Sequence, residues 1–239
     1  MRGLAIKPYR YIRRILALAL AVAAVAALVL AAINARALLD RVVPFDLDQP
    51  PDWATGLHLY FFRNDSKACF AALDRGKVDY LPAPVRPIEN GCGYTDAAIL
   101  RHGQVSYGGN ILLRCGALVP LLLWQRHVVD PAAQQAFGSR VVAIRNYGTY
   151  SCRNINHAPD RPRSQHATAN AIDVAGFVLA DGTRISIARD WRDTGAKGRF
   201  LHAARDGACR FFGVVLSPDY NALHHDHFHM DASWWHVCR

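Results

Sequence analysis

Nineteen consecutive residues, Ile15 to Ile33, are apolar and uncharged. A helix that is hydrophobic all round is either buried or spans a membrane. At 1.5 Å per residue this run matches the hydrocarbon core of a bilayer. Arg2, Lys7, Arg10, Arg13 and Arg14 precede it, an arrangement that keeps the N-terminus cytoplasmic and sends the rest of the chain across. The run exceeds the about 7–15 apolar residues of a cleaved signal, although Asn34-Ala35-Arg36-Ala37 offers small residues at which a leader could be cut. The expected organisation is a basic cytoplasmic tail over residues 1–14 and a transmembrane helix over 15–33. A linker over 34–56, broken by Pro44, Pro50 and Pro51, then leads to a domain over 57–239. This is the layout of a single-pass inner-membrane protein with its C-terminal domain in the periplasm.

The chain carries 28 basic and 19 acidic residues, a net of +9, but six of the basic residues lie before residue 37 and no acidic one does. Subtracting those six leaves 22 against 19, a net of +3. No concentrated basic face follows residue 36, so a nucleic-acid partner is not expected. Six cysteines, Cys69, Cys92, Cys115, Cys152, Cys209 and Cys238, all follow the apolar run. None forms a C-x-x-C pair, which argues against a four-cysteine zinc knuckle. An even number in an exported domain reads as disulfides. Six cysteines allow 15 pairings, and pairing neighbours in order predicts Cys69–Cys92, Cys115–Cys152 and Cys209–Cys238.

Helical patterns occupy 66–74, after Asp65-Ser66 as N-cap, then 116–129, Asp130 to Phe137 with Gly138 ending it, and 196–208. Prolines and glycines make 81–93 a loop, and Val105 to Leu113 suggest a strand pair about Gly108-Gly109. Strands are expected at 141–145, 171–179, 184–188 (after an Asp181-Gly182 turn), 211–216 and 225–231. Helices first and strands later predict an α+β fold with a small antiparallel sheet.

Two segments carry chemistry. Four of the eleven histidines, His224, His225, His227 and His229, fall within six residues. On a strand His227 and His229 share one face while Phe228 and Met230 turn to the other, toward the core. A solvated histidine-rich turn gives the same composition. The second segment runs from Ser164 through His166 to Asp173, which sits between Ile172 and Val174 in an apolar strand. A carboxylate buried there without a partner is costly, and a cation beside it removes the cost. A hydrolytic zinc site takes three histidine or carboxylate ligands and leaves one position open. Ser164 reads as a capping residue, and Trp234-Trp235 as either a groove lining or core.

The pattern S-x-H-x-x-x-x-A-x-D followed by H-x-H resembles the zinc site of the D-alanyl-D-alanine metallopeptidase and murein endopeptidase superfamily, which includes hedgehog-type signalling domains. Tyr150-Ser151-Cys152-Arg153, Ser164 to Ala167, Asn170 to Asp173, and Pro218-Asp219-Tyr220-Asn221 to His229 resemble, more closely, the bacterial extensin-like C-terminal domain family over about residues 60–239. The resemblance implies zinc on His166, Asp173 and His229, and a membrane-anchored hydrolase of peptidoglycan peptides or cross-links. It implies His227, or His224, as the group that moves the proton, and Arg153 as the cation facing the substrate's carbonyl or carboxylate. Asp226 and Asp231 then either orient a histidine or belong to the surface. The superfamily pattern has Gly where this chain has Ala169, which fits if the backbone there has negative φ. The alternative is a non-catalytic, zinc-containing wall-binding or protein-interaction module, or a structural protein without metal. A binding module needs no base, so His227 and His224 favour the enzyme. The sequence identifies no protein partner.

Overall fold

The computed structural model describes residues 8–239 except Gln104; residues 1–7 of the expected cytoplasmic tail lie outside the described residues. The chain divides into two units that meet at Pro44 and Phe45.

The first unit is one long helix, α1 (Pro8–Val42). Its stretch Tyr11–Ala32 is long and apolar enough to cross a membrane, as a single-pass anchor or a signal segment. The helix continues past the expected end at residue 33 because Ala35, Ala37, Leu38 and Leu39 are good helix formers and no glycine or proline intervenes before Pro44. The linker expected over 34–56 is therefore helical in its first part. Its later part is not free chain either, because Phe45, Leu47 and Ala54 are buried in the core of the second unit.

The second unit, residues 45–239, has the mixed helix-and-sheet composition expected. Helices α2 (Thr55–Phe62) and α3 (Ser66–Arg75) open it. Asp65 caps α3 by accepting from the Ala68 amide at 3.0 Å. Strands β1 (Asp79–Pro82), β4 (Ala97–His102) and β5 (Ile111–Arg114) form a three-stranded antiparallel sheet. β2 (Arg86–Glu89) and β3 (Cys92–Tyr94) form a hairpin. This hairpin corrects the loop reading of 81–93. Its turn is Asn90-Gly91, both at positive φ, a turn signal that the surrounding prolines masked. The strand pair expected about Gly108-Gly109 does not form, because β5 pairs with β4 instead.

α4 (Cys115–Trp124) is buried along its whole length. It runs through a π-helical turn (Gln125–Val129) into α5 (Asp130–Phe137), which ends at Gly138 in the left-handed conformation. The principal sheet has six strands: β6 (Val141–Gly148), β7 (Ala171–Leu179), β8 (Arg184–Ser186), β9 (Val214–Leu216), β10 (Phe228–Asp231) and β11 (Val237–Cys238). Their order is β11-β9-β10-β7-β6, with β8 also on β7. All pairs are antiparallel except β11 with β9. α6 (Ile187–Asp190) and α7 (Ala196–Ala208) complete the unit. Trp124 of α4 packs on Phe177 of β7, which meets Phe200 of α7 edge-on. The Trp124 indole donates to the Ala204 carbonyl at 2.8 Å, so helices and sheet share one core.

β7 is the strand on which the rest depends. Its pairing with β6 slips by one residue at Ala175: Asn146 pairs with Val174 but Arg145 with Gly176. The slip changes the phase of side-chain alternation. Ile172 and Val174 before it and Phe177 and Leu179 after it all enter the core. Asp173 is left out of that core, on the other face. A Cβ on Gly176 would lie 2.3 Å from the Ile185 carbonyl oxygen, so only glycine permits β8 to close on β7 here.

The disulfides are Cys69–Cys115, Cys92–Cys152 and Cys209–Cys238. Only the last follows the neighbour order. The α3–α4 packing brings Cys69 to Cys115, and the β2–β3 hairpin carries Cys92 to the segment before the candidate site.

Candidate metal centre

Strand register places the first two site residues. His229 of β10 is the direct cross-strand partner of Asp173 of β7, the closest approach two side chains make across a sheet. Phe228 and Met230, on the other face of β10, are fully buried in the core, as the alternation predicts. His166 arrives from a 3-10 turn (Gln165–Thr168) that leads into β7. Ser164 caps that turn, its hydroxyl accepting from the His166 amide. Ala169 ends it in the left-handed conformation, at φ 54°. The negative φ that would suit alanine is not what the loop adopts. The strained residue is held because its carbonyl accepts from the Arg114 amide and its methyl is fully buried.

Three atoms converge: His166 Nε2, His229 Nδ1 and Asp173 Oδ1. Both ring nitrogens approach the carboxylate oxygen, at 3.1 and 2.9 Å, and lie 3.2 Å from each other. The far nitrogen of each ring faces a group that only accepts. His166 Nδ1 donates to the Thr149 carbonyl at 3.1 Å, and His229 Nε2 to the Asp231 carboxylate at 3.2 Å. In the neutral rings the near nitrogens therefore present lone pairs. Two lone pairs and a carboxylate oxygen pointing at one another repel unless a proton or a cation lies among them. The three residues form a group able to hold a metal ion. Tetrahedral zinc at 2.0–2.1 Å from its ligands would set them about 3.3 Å apart. The spacing and the nitrogen-rich donor set suit zinc better than calcium, which takes more and longer oxygen contacts.

The electrostatics agree. Burial opposes ionisation of Asp173, but hydrogen bonds from His166 and His229 outweigh it and hold the carboxyl well below its ordinary range. Burial opposes protonation of His229, but its bonds to Asp173 and Asp231 raise it to about 9. The pocket calls for positive charge.

Three further predicted residues gather around this centre. His227 lies one residue before β10, outside any regular element, which corrects its placement on the strand. It still faces the centre, with Nε2 3.7 Å from Asp173 Oδ1. Its Nδ1 donates to Asp226 at 2.8 Å, and the Tyr147 hydroxyl donates to the other oxygen of Asp226 at 3.1 Å. Burial disfavours the Asp226 carboxylate, yet these two bonds keep it ionised. His224 is the last residue of a 3-10 turn (Ala222–His224) capped by Asn221, to which its Nδ1 donates at 2.8 Å. Its ring lies against those of His227 and His229. Burial, then the charges of those two histidines, push it down to about 4. Arg153 reaches Asp173 Oδ2 at 3.7 Å from the other side. Its segment is pinned by the Cys92–Cys152 disulfide and by the Ser164 amide, which donates to the Arg153 carbonyl.

Asp226 and Asp231 both turn out to hold histidines. Tyr147 and Thr149 are participants the sequence did not single out. They sit at the end of β6, where Gly148 pairs with Asp173; only that register brings them to the site. Trp234 and Trp235 are exposed rather than core residues.

No curated protein and no solved structure matches the chain. The family model described as "Extensin-like protein C-terminus" matches residues 67–239, which include every residue of this centre. The chain belongs to the extensin-like protein C-terminus family.

Proposed function

We propose that the chain is a zinc-dependent hydrolase of amide bonds in peptidoglycan peptides or cross-links, anchored in the inner membrane and acting in the periplasm. The observation that carries this reading is the convergence of His166, Asp173 and His229, each histidine fixed through its far nitrogen, with His227 alongside and itself fixed by Asp226. The resemblance of these spacings to the D-alanyl-D-alanine metallopeptidase superfamily supports the choice of substrate.

A zinc ion bound here supplies Lewis acidity, polarising a carbonyl and bringing the pKa of a water toward about 7. The protein's own part is proton transfer and placement. His227 Nδ1–H is committed to Asp226, so Nε2 is free to accept the proton of an attacking water. As the C–O bond forms and the amide C–N bond breaks, His227 gives that proton to the departing nitrogen, and a carboxylate and an amine leave. Arg153 stabilises charge on the carbonyl oxygen or binds a terminal carboxylate. His224, its Nδ1 held by Asn221, lies against His227 and helps fix its ring.

The test is metal analysis and muropeptide turnover on one preparation of the full chain, purified in detergent with its disulfides intact. One zinc per chain together with new muropeptide products is the expected result. Zinc without products on any muropeptide would point to the non-catalytic wall-binding module. A chain that takes up no zinc would remove the site assignment.

A further inference from the structure

One surface feature lies outside the metal centre. Leu57 and Tyr60 stand one turn apart on α2 and so share a face of that helix. Both are exposed, and the Tyr60 ring meets Trp234 edge-on, with centroids 5.1 Å apart. Trp235 follows at 76 % exposure. The Arg63 guanidinium lies over Trp234 at 5.5 Å. Arg63 and the exposed Arg210 line the same open groove as the two tryptophans. Large aromatic and aliphatic side chains left in solvent, with arginines among them, mark an interaction surface.

We propose that this face contacts lipid: it settles into the interfacial layer of the bilayer that α1 crosses, its rings at headgroup depth and Arg63 and Arg210 toward the phosphates. Tryptophan, tyrosine and arginine are the side chains favoured at that depth. Chain length supplies the second argument, and it rests on reading α1 as a retained anchor. Ten helical residues, 33–42, follow Ala32, the end of the apolar span. Only Val43 and Pro44 then precede Phe45, the first core residue of the second unit. That tether reaches at most roughly 25 Å, less than the roughly 40 Å breadth of a domain of this size. The domain is thus always within contact range of the lipid surface, and a modest affinity suffices to keep the face down.

All five tryptophans lie in the second unit and none in α1. Tryptophan emission therefore reports on the domain alone. The full chain is reconstituted into phosphatidylglycerol–phosphatidylethanolamine vesicles with and without brominated acyl chains, and retention after an alkaline carbonate wash is measured in parallel. The expected result is retention with quenched tryptophan emission. Trp234→Ala/Trp235→Ala should lose more than about half of that quenching, because it removes two of the three exposed tryptophans, Trp53 being the third. Trp235→Ala alone, at a position with little packing to lose, should show a smaller loss in the same direction. Retention without quenching, or quenching unchanged in the double variant, overturns the lipid face and leaves the anchor. Emission that ignores lipid but shifts on adding glycan chains also overturns it, and reassigns the groove to sugar. Quenching without carbonate-resistant retention keeps the lipid face and removes the anchor.

Discussion

Two aspartates, one buried and one partly buried, meet opposite fates. Asp173, on β7, faces two histidines and an arginine and is held ionised. Asp130, at the start of α5, is pushed up to about 6, because burial outweighs the attraction of Arg140 and Arg126 and its Oδ1 has no hydrogen-bond partner among the described residues. The sheet end of the molecule gathers groups whose charges need one another. The helical side merely tolerates a carboxylate near its core. Burial is common to both, so burial alone does not make a site. What distinguishes Asp173 is that its neighbours are themselves held by further partners, Thr149, Asp231 and Asp226.

The most severe way to break the comparison is His229→Ala. It removes one of the three candidate metal donors and one of the two histidines that keep Asp173 ionised. Loss of bound zinc and of all muropeptide turnover is expected, by metal analysis after dialysis and by product chromatography. His227→Ala comes next: zinc content should stay at the wild-type level while turnover falls about 10²–10⁴-fold, the usual worth of a general base. Full activity in that variant would remove His227 from the mechanism. Asp231→Asn tests the outer support, and zinc affinity should weaken about 10–100-fold by competition with a chelator.

On the helical side the expectation concerns pH. The folded-state pKa of Asp130 is raised above its unfolded value. Its contribution to stability is therefore fully present below about pH 4 and lost as pH rises through about 6. Asp130→Asn should match wild type in urea melts near pH 4 and exceed it by about 1 kcal/mol near pH 8, a figure discounted for partial exposure. An equal offset at both values would show that its ionisation is not what matters. The smallest change is Ala169→Gly. Relief of the left-handed strain, about 1–2 kcal/mol, opposes the loss of a buried methyl, about 0.8 kcal/mol, and the greater freedom of the unfolded chain, about 0.4–1 kcal/mol. The melting midpoint and zinc content should barely move. A large rise in zinc affinity would show that the alanine distorts the loop carrying His166.

Much of this was legible before any coordinates. The alternation at Phe228, His229 and Met230 announces that Phe228 and Met230 enter the core while His229 turns to the other face, and the structure follows it. Asp65 as a cap and Gly138 as a stop were visible because helix ends are local events. The Asn90-Gly91 turn was equally local, and its signal was present though outweighed by neighbouring prolines. Other features had no local trace. Nothing in the order of the cysteines tells that Cys69 meets Cys115, since that depends on two helices packing. Nothing near Tyr147 says that its hydroxyl will hold Asp226, 79 residues away.

By itself the sequence determined the apolar helix and the mixed α+β character, because each follows from periodicity or composition along a short stretch; the candidate ligand set His166, Asp173 and His229 came from its resemblance to a known family. The tertiary structure alone decided that His229 stands opposite Asp173, that a slip at Ala175 turns that aspartate away from the core, and that Tyr147, Thr149 and Asp231 hold the site's side chains in place. Those outcomes depend on strand register and on disulfides joining distant segments. Both are settled by the free energy of the packed whole, and no single segment encodes them.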